Sequence, residues 1–225
     1  MSDFIQQFIP DNLAEVIILC IGFLGQFFFA GRILIQWILS EKAKKVVSPL
    51  IFWIFSIIGS YLFFVYGWLR ADFAILFGQF ISYYIYLWNI KIQGSWARLP
   101  LLLQAILLGT PLAALLGLLL SGVSITKTLF QNEDIGVALL VFGSLGQVVF
   151  TLRFVYQIIY SQQKKESILP LGFWWISLLG SSIIISYGVL RSDIILVLGQ
   201  LAGWFVYIRN ICIELNYRRK KISKA

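Results

Sequence analysis

Apolar residues run through this chain in long stretches, broken by short polar punctuation. Runs of about 20 residues, the length that crosses roughly 30 Å of hydrocarbon as a helix, fall at 14–39, 50–69, 73–92, 100–121, 136–160, 171–190 and 194–214. Pro49 and Pro170 stand at the first turns of the second and sixth runs, where a missing N–H is tolerated. The pattern predicts an all-α polytopic membrane protein with seven transmembrane helices.

Inside the first run sit Gln26, Arg32 and Gln36, and a charge at membrane depth asks for a partner. The fifth run repeats them. Gly143, Gly146, Gln147, Phe150, Arg153, Gln157 and Ser161 restate Gly22, Gly25, Gln26, Phe29, Arg32, Gln36 and Ser40 at one offset, 121 residues. The same offset relates Pro49 to Pro170, Phe52-Trp53 to Phe173-Trp174, Ser56 to Ser177 and Gly59 to Gly180. It also relates Tyr66 to Tyr187, Arg70 to Arg191, Asp72 to Asp193, Gly78-Gln79 to Gly199-Gln200, Tyr86 to Tyr207 and Asn89 to Asn210. Repetition of bulk apolar residues would not select these positions, so the chain carries an internal duplication. The organisation expected is an outer N-terminal segment 1–13, a three-helix repeat 14–93, a linker 94–134 holding the fourth helix, a second repeat 135–214 and a basic tail 215–225. The unmatched fourth helix restores the direction of the second copy, giving two parallel three-helix bundles in a 3+1+3, SWEET-like layout.

Composition agrees with a membrane class: 60% hydrophobic, 16% aromatic and a mean hydropathy of +0.87, against about 45 to 50% apolar in soluble domains. The net charge of +8 lies in short loops and in the tail Arg218-Arg219-Lys220-Lys221, which reads as orientation and contact with anionic membrane lipids rather than with nucleic acid. Lys42, Lys44, Lys45, Lys91, Arg98, Lys164, Lys165 and the tail share one side. Arg70, Lys127 and Arg191 lie on the other. The expectation is an integral membrane protein, N-terminus outside and C-terminus cytoplasmic. The opening residues lack the positive region of a cleaved signal and read as mature protein. Cys20 and Cys212 lie near opposite faces, which argues against a disulfide.

The chemistry open to this sequence is narrow. It has no histidine, no nucleophile-base set, no metal-ligand cluster and no phosphate loop of the P-loop kind. A non-enzymatic role without metal or cofactor is expected, and arginines, which stay charged, make poor proton relays. Gln26, Arg32 and Gln36 with Gln147, Arg153 and Gln157 form candidate binding faces, the guanidiniums suited to phosphate; the alternative is that each Arg snorkels to the interface. Gln79, Gln200, Asn89 and Asn210 either recognise sugar hydroxyls or bond between helices. Arg70-Ala-Asp72 and Arg191-Ser-Asp193 are expected to be local ion pairs in tight turns, with Asp72 free to cap the third helix. Phe52-Trp53 and Phe173-Trp174-Trp175 are expected as interface belt residues.

The ordered motif Gly-Gln, Phe, Arg, Gln-Trp, Ser-Glu-Lys, Ser-Pro, Phe-Trp, Ser, Gly, Tyr, Arg-Asp, Gly-Gln, Tyr, Asn resembles the lipid-A-disaccharide synthase N-terminal domain family, within the wider PQ-loop and SWEET-like group. The resemblance covers residues 20–92 and 141–213. The second copy departs from the first at Ile158 for Trp37, Ser161-Gln-Gln for Ser40-Glu-Lys and Leu169 for Ser48. The first copy has Trp88 where Tyr207-Ile-Arg209-Asn210 keeps the pattern's Arg. The resemblance implies a three-helix bundle per repeat and a setting in envelope glycolipid synthesis, beside polyprenyl-phosphate glycosyltransferases. The function expected is a transporter or flippase-like protein for a lipid-linked, phosphate-bearing saccharide or a lipid A-type precursor. The alternatives are a SWEET-like facilitator of small sugars and a non-catalytic membrane partner of a glycosyltransferase.

Overall fold

A computed structural model describes residues 12–70, 72–120 and 136–223, and every regular element among them is helical. The helices are α1 (Leu13–Ala43), α2 (Leu50–Leu69), α3 (Phe73–Ile92), α4 (Leu101–Leu120), α5 (Val137–Lys164), α6 (Leu171–Leu190) and α7 (Ile194–Ile222), with a single 3-10 turn at Trp96–Arg98. Helices α1, α2, α5, α6 and α7 are long and apolar enough to cross a membrane. Seven spans were expected. Helices α3 and α4, each 20 residues long, lie where the third and fourth spans were expected. The expected segment 1–13 lies almost wholly outside the described residues, as does the loop holding Lys127.

Each helix begins and ends where the local chemistry directs. Asn12, Asp72 and Asp193 cap α1, α3 and α7 by accepting from Glu15, Ile75 and Leu196 N–H at 3.0, 3.0 and 3.1 Å. Helices α1 and α5 run one turn beyond their apolar stretches and stop at Lys44 and Lys165, both left-handed with φ 55° and 56°. Helix α7 is longer than expected: it continues through residues 215–222 instead of releasing a tail at 214, with Arg219, Lys220 and Lys221 in its last turn, where cations suit the helix dipole. Pro111 lies inside α4 and cannot donate to the Leu107 carbonyl. The Tyr83 hydroxyl supplies that bond at 2.9 Å, and Tyr84 donates to Leu108 O at 3.0 Å, fastening α4 to α3.

Helices α1, α2 and α3 pack in sequence, as do α5, α6 and α7; across the two groups α1 meets α7 and α3 meets α5. Two apolar clusters fill the seam. One gathers Phe52, Trp53, Tyr86, Phe154, Phe173, Trp174 and Tyr207; the other holds Phe63, Tyr66, Ile75, Ile184, Tyr187, Ile195 and Leu196. Phe52, Trp53, Phe173 and Trp174 are therefore core residues rather than belt residues, because the repeats bury them against each other. Trp175 alone of that set is exposed, at 52%.

Candidate binding site between the two repeats

Three polar layers cross the seam between the repeats, and each mixes side chains from both. The first lies at the end of the bundle carrying the two Arg-Asp turns. The Tyr66 hydroxyl donates to Asp193 at 2.9 Å and the Tyr187 hydroxyl to Asp72 at 3.2 Å. Arg191 forms an ion pair with Asp72 and donates to the Tyr187 hydroxyl at 3.1 Å. Neither local pair expected from the sequence forms among the described residues, and a single cross-repeat ion pair does: a helix cap holds Asp72 facing the other copy, where Arg191 reaches it.

The second layer lies at the basic end. Gln36 and Asn210 exchange reciprocal amide bonds of 3.0 and 3.1 Å, and Gln157 and Asn89 do the same at 2.8 and 3.1 Å. Gln36 also donates to Ser40 Oγ and Val47 O, and Gln157 to Ser161 Oγ and Ile168 O. All four amide residues are wholly buried. Their hydrogen-bonding capacity is taken up by each other and by the loops that precede α2 and α6.

Between these layers lies a cavity of about 40 Å³, lined by Gln26, Arg32, Gln79, Gln147, Arg153 and Gln200 together with Phe29, Phe150, Ser82, Thr151, Tyr86 and Tyr207. Of the residues picked from the sequence, six converge here, while Gln36, Gln157, Asn89 and Asn210 stand outside in the basic-end layer. Gly199 and Gly78 admit the opposite copy's glutamine: a Cβ at Gly199 would collide with the Gln26 amide, and one at Gly78 would stand 3.3 Å from Gln147 Oε1. This is why each repeat writes Gly before Gln in its third helix.

Arg32 and Arg153 are 4% and 2% exposed, so neither snorkels. Arg32 donates to Ser56 Oγ at 2.7 Å, and Arg153 to the Tyr207 hydroxyl at 3.4 Å. Aromatic faces surround both: Arg32 stands over Phe29 and Phe52 at 4.5 and 5.2 Å, Arg153 over Phe150 and Phe173 at 3.3 and 5.5 Å. Both share the Phe154 ring, at 5.8 and 4.5 Å. Ring faces offset part of the desolvation of a guanidinium, up to about 2 kcal/mol each when dry. They leave its N–H donors unfilled. Among the described residues no carboxylate pairs with either arginine, and Arg32 Nε, Arg153 Nε, Gln79 Oε1 and Gln200 Oε1 are buried without a hydrogen-bond partner. The cavity thus presents two orphaned cationic donors and two orphaned acceptors, each pair drawn from equivalent positions of the two copies.

Phe154, Ser82 and Thr151 carried no sequence signal for this site. Tyr86 and Tyr207 did, through their duplication. No group of His, Cys, Asp and Glu suited to a metal ion occurs among the described residues.

The model of the Lipid A Biosynthesis N-terminal domain matches residues 21–91 and again 142–212. The chain belongs to that family. It holds two copies of the domain, whose boundaries follow the duplication. Among curated proteins it is similar to lipid-A-disaccharide synthase of Chlamydia pneumoniae, 30% identical over 210 residues, covering 89% of this chain and 34% of that protein. It is 26% identical to lipid-A-disaccharide synthase of Chlamydia abortus over 220 residues, covering 91% and 34%, and 29% identical to that of Chlamydia trachomatis serovar D over 203 residues, covering 86% and 33%. The chain therefore spans about a third of the length of these relatives. No solved structure matches it.

Proposed function

We propose that this family member is a non-catalytic transporter or flippase-like protein for a lipid-linked, phosphate-bearing saccharide or lipid A-type precursor, working in the bacterial inner membrane. One observation carries the reading: two buried arginines, without carboxylate partners among the described residues, face a cavity across a pseudo-twofold seam, beside two unfilled glutamine acceptors. An anion satisfies the guanidinium donors and sugar hydroxyls satisfy the amide oxygens, so a phosphorylated saccharide meets both needs at once. Arg32 and Arg153 hold the phosphate; Gln26, Gln79, Gln147 and Gln200 hold the sugar.

A volume of about 40 Å³ has room for roughly three waters and none for a sugar ring. In this reading the conformation is occluded, and substrate enters when the layer at one end separates. Packing of α1–α3 and α5–α7 as two groups supports the parallel 3+1+3, SWEET-like arrangement, in which the two bundles rock about a central site.

The test is translocation of a fluorescent polyprenyl-phosphate sugar in proteoliposomes. Wild type should move it, and Arg32→Ala together with Arg153→Ala should abolish movement; unchanged movement refutes the mechanism. Uptake of free hexose by the same vesicles would instead mark a small-sugar facilitator.

A second reading has its own support. The matched relatives are lipid-A-disaccharide synthases about three times the length of this chain, so the same module occurs in proteins named for glycosyl transfer. The chain would then serve as a membrane partner of such a transferase. Co-purification of a glycosyltransferase, lost on charge reversal of Lys42, Lys44 and Lys45, supports this reading; no association removes it.

A further inference from the structure

The two repeats differ most at the basic end of the second. Helix α3 stops at Ile92, whereas its counterpart α7 runs on to Ile222, 29 residues in all. The extra turns bring Asn216, Tyr217 and Lys220 beside the end of α1, where Lys44 stands. A cleft of about 170 Å³ results, lined by Glu41, Lys44, Arg209, Ile213, Asn216, Tyr217 and Lys220. Its lining is not repeated in the first copy: the positions equivalent to Glu41 and Arg209 are Gln162 and Trp88, and α3 has no matching extension.

The charges in the cleft do not cancel. Glu41 accepts from Trp37 Nε1 at 3.0 Å and is ion-paired with Arg209. That leaves Lys44 and Lys220, neither with a carboxylate in ion-pair range among the described residues. Two uncancelled ammonium groups beside a phenol and an amide form a site for a polyatomic anion. The volume holds roughly a dozen water-sized positions, ample for a phosphate group.

One turn toward the apolar body, on the same helix faces, lie Ile38 and Phe205, exposed at 49% and 63%. Phe205 packs edge-on against Trp37, the residue that orients Glu41. An anion seated in the cleft would therefore have an apolar wall beneath it, where an acyl or prenyl chain can lie.

We propose that the cleft between the basic ends of α1 and α7 binds the phosphate of a lipid whose headgroup is a net anion. Lys44 and Lys220 are its charge partners, and Asn216 and Tyr217 its neutral donors. The site is separate from the central cavity and stands on different residues, so either reading can fail without the other.

The test uses the full chain in neutral detergent and measures binding of dioctanoyl phosphatidic acid, dioctanoyl phosphatidylcholine and inorganic phosphate. The expectation is that phosphatidic acid binds more tightly than phosphatidylcholine, and that Lys44→Ala with Lys220→Ala weakens it about thirtyfold, from roughly 1 kcal/mol per lysine. The control Lys42→Ala with Lys45→Ala, exposed lysines outside the cleft, should leave affinity unchanged. Competition by millimolar inorganic phosphate would assign recognition to the phosphate group alone. Its failure to compete, with the lysine dependence intact, would assign it to the phosphate and chain together. Equal binding of the two lipids, no loss in the Lys44/Lys220 variant, or the same loss in the Lys42/Lys45 control would each overturn the proposal.

Discussion

The amide layer at the basic end and the cavity layer next to it are built from the same material, buried polar side chains repeated in both copies. They end in opposite states. Gln36, Gln157, Asn89 and Asn210 close on each other, and each donor meets an acceptor. Gln79, Gln200, Arg32 and Arg153 keep atoms with no partner. Both layers hold amide oxygens buried at matching positions of the two copies, so burial of a polar atom alone does not separate a structural clasp from a candidate binding site. The separating quantity is hydrogen-bond satisfaction, since a buried polar group left unpaired costs about 1–3 kcal/mol, and more when charged.

The comparison can be broken at several points, the layer at the Arg-Asp end supplying the scale. Asp72→Ala removes the Arg191 ion pair, the Tyr187 bond and the α3 cap together. It should destabilise by about 3–5 kcal/mol, as expected when a buried ion pair loses one partner. Asp193→Ala loses a hydrogen bond and a cap and should cost about 2 kcal/mol. Unfolding in mixed micelles would compare them, and equal losses would refute the asymmetry of that layer.

In the cavity the sign should reverse. Arg32→Met with Arg153→Met removes two uncompensated charges and should raise stability by about 1–4 kcal/mol while translocation is lost. A large destabilisation would mean that the guanidiniums are structural.

The amide layer should behave in the opposite way. Gln36→Ala strands the Asn210 amide and should cost about 1–3 kcal/mol, whereas Gln79→Leu, whose Oε1 bonds to nothing, should leave thermal stability nearly unchanged and lower transport. Similar losses from the two would erase the distinction between the layers.

The smallest effect concerns one indole. Trp53 Nε1 donates to Ser48 at 3.0 Å, but Leu169 stands where the second copy would need a serine, and Trp174 Nε1 has no partner. Leu169 is only 1% exposed, so trimming it costs about 2–5 kcal/mol of packing. Leu169→Ser should lose about 1 kcal/mol less than Leu169→Ala, because its hydroxyl accepts from the indole, read as the higher melting temperature of the serine variant. Equal melting temperatures would refute the bond.

Much of this was legible in the chain. Apolar run length located the helices, the duplication paired the copies, and three- and four-residue steps put Gly22, Gln26, Arg32 and Gln36 on one face. Periodicity assigns faces, however, and not partners. Gln36 and Asn210 are 174 residues apart, and nothing local distinguishes that pairing from one within a repeat. The ion pair of Arg191 with Asp72 was hidden for the same reason: two Arg-Asp turns in sequence suggest two local pairs, while the fold carries Arg191 across the seam to the other copy's Asp72. The length of α7 was hidden because its last turns are charged, and hydropathy marks where a span ends rather than where a helix ends. The cavity was half visible, since the arginines and glutamines stood out. Phe154, shared by both guanidiniums, replaces Ile33 of the first copy and looks in sequence like any other apolar residue.

The central claim is that the pair Arg32 and Arg153 holds an anion carried by a lipid-linked saccharide. The most direct measurement is an electron cryomicroscopy map of the full chain in nanodiscs of native lipid. Phosphate-sized density within hydrogen-bonding distance of both Nε atoms, continuous with an elongated tail leaving sideways between the repeats, is the expected result. A cavity of the present size filled only by waters, with both Nε donors satisfied by them, would contradict it.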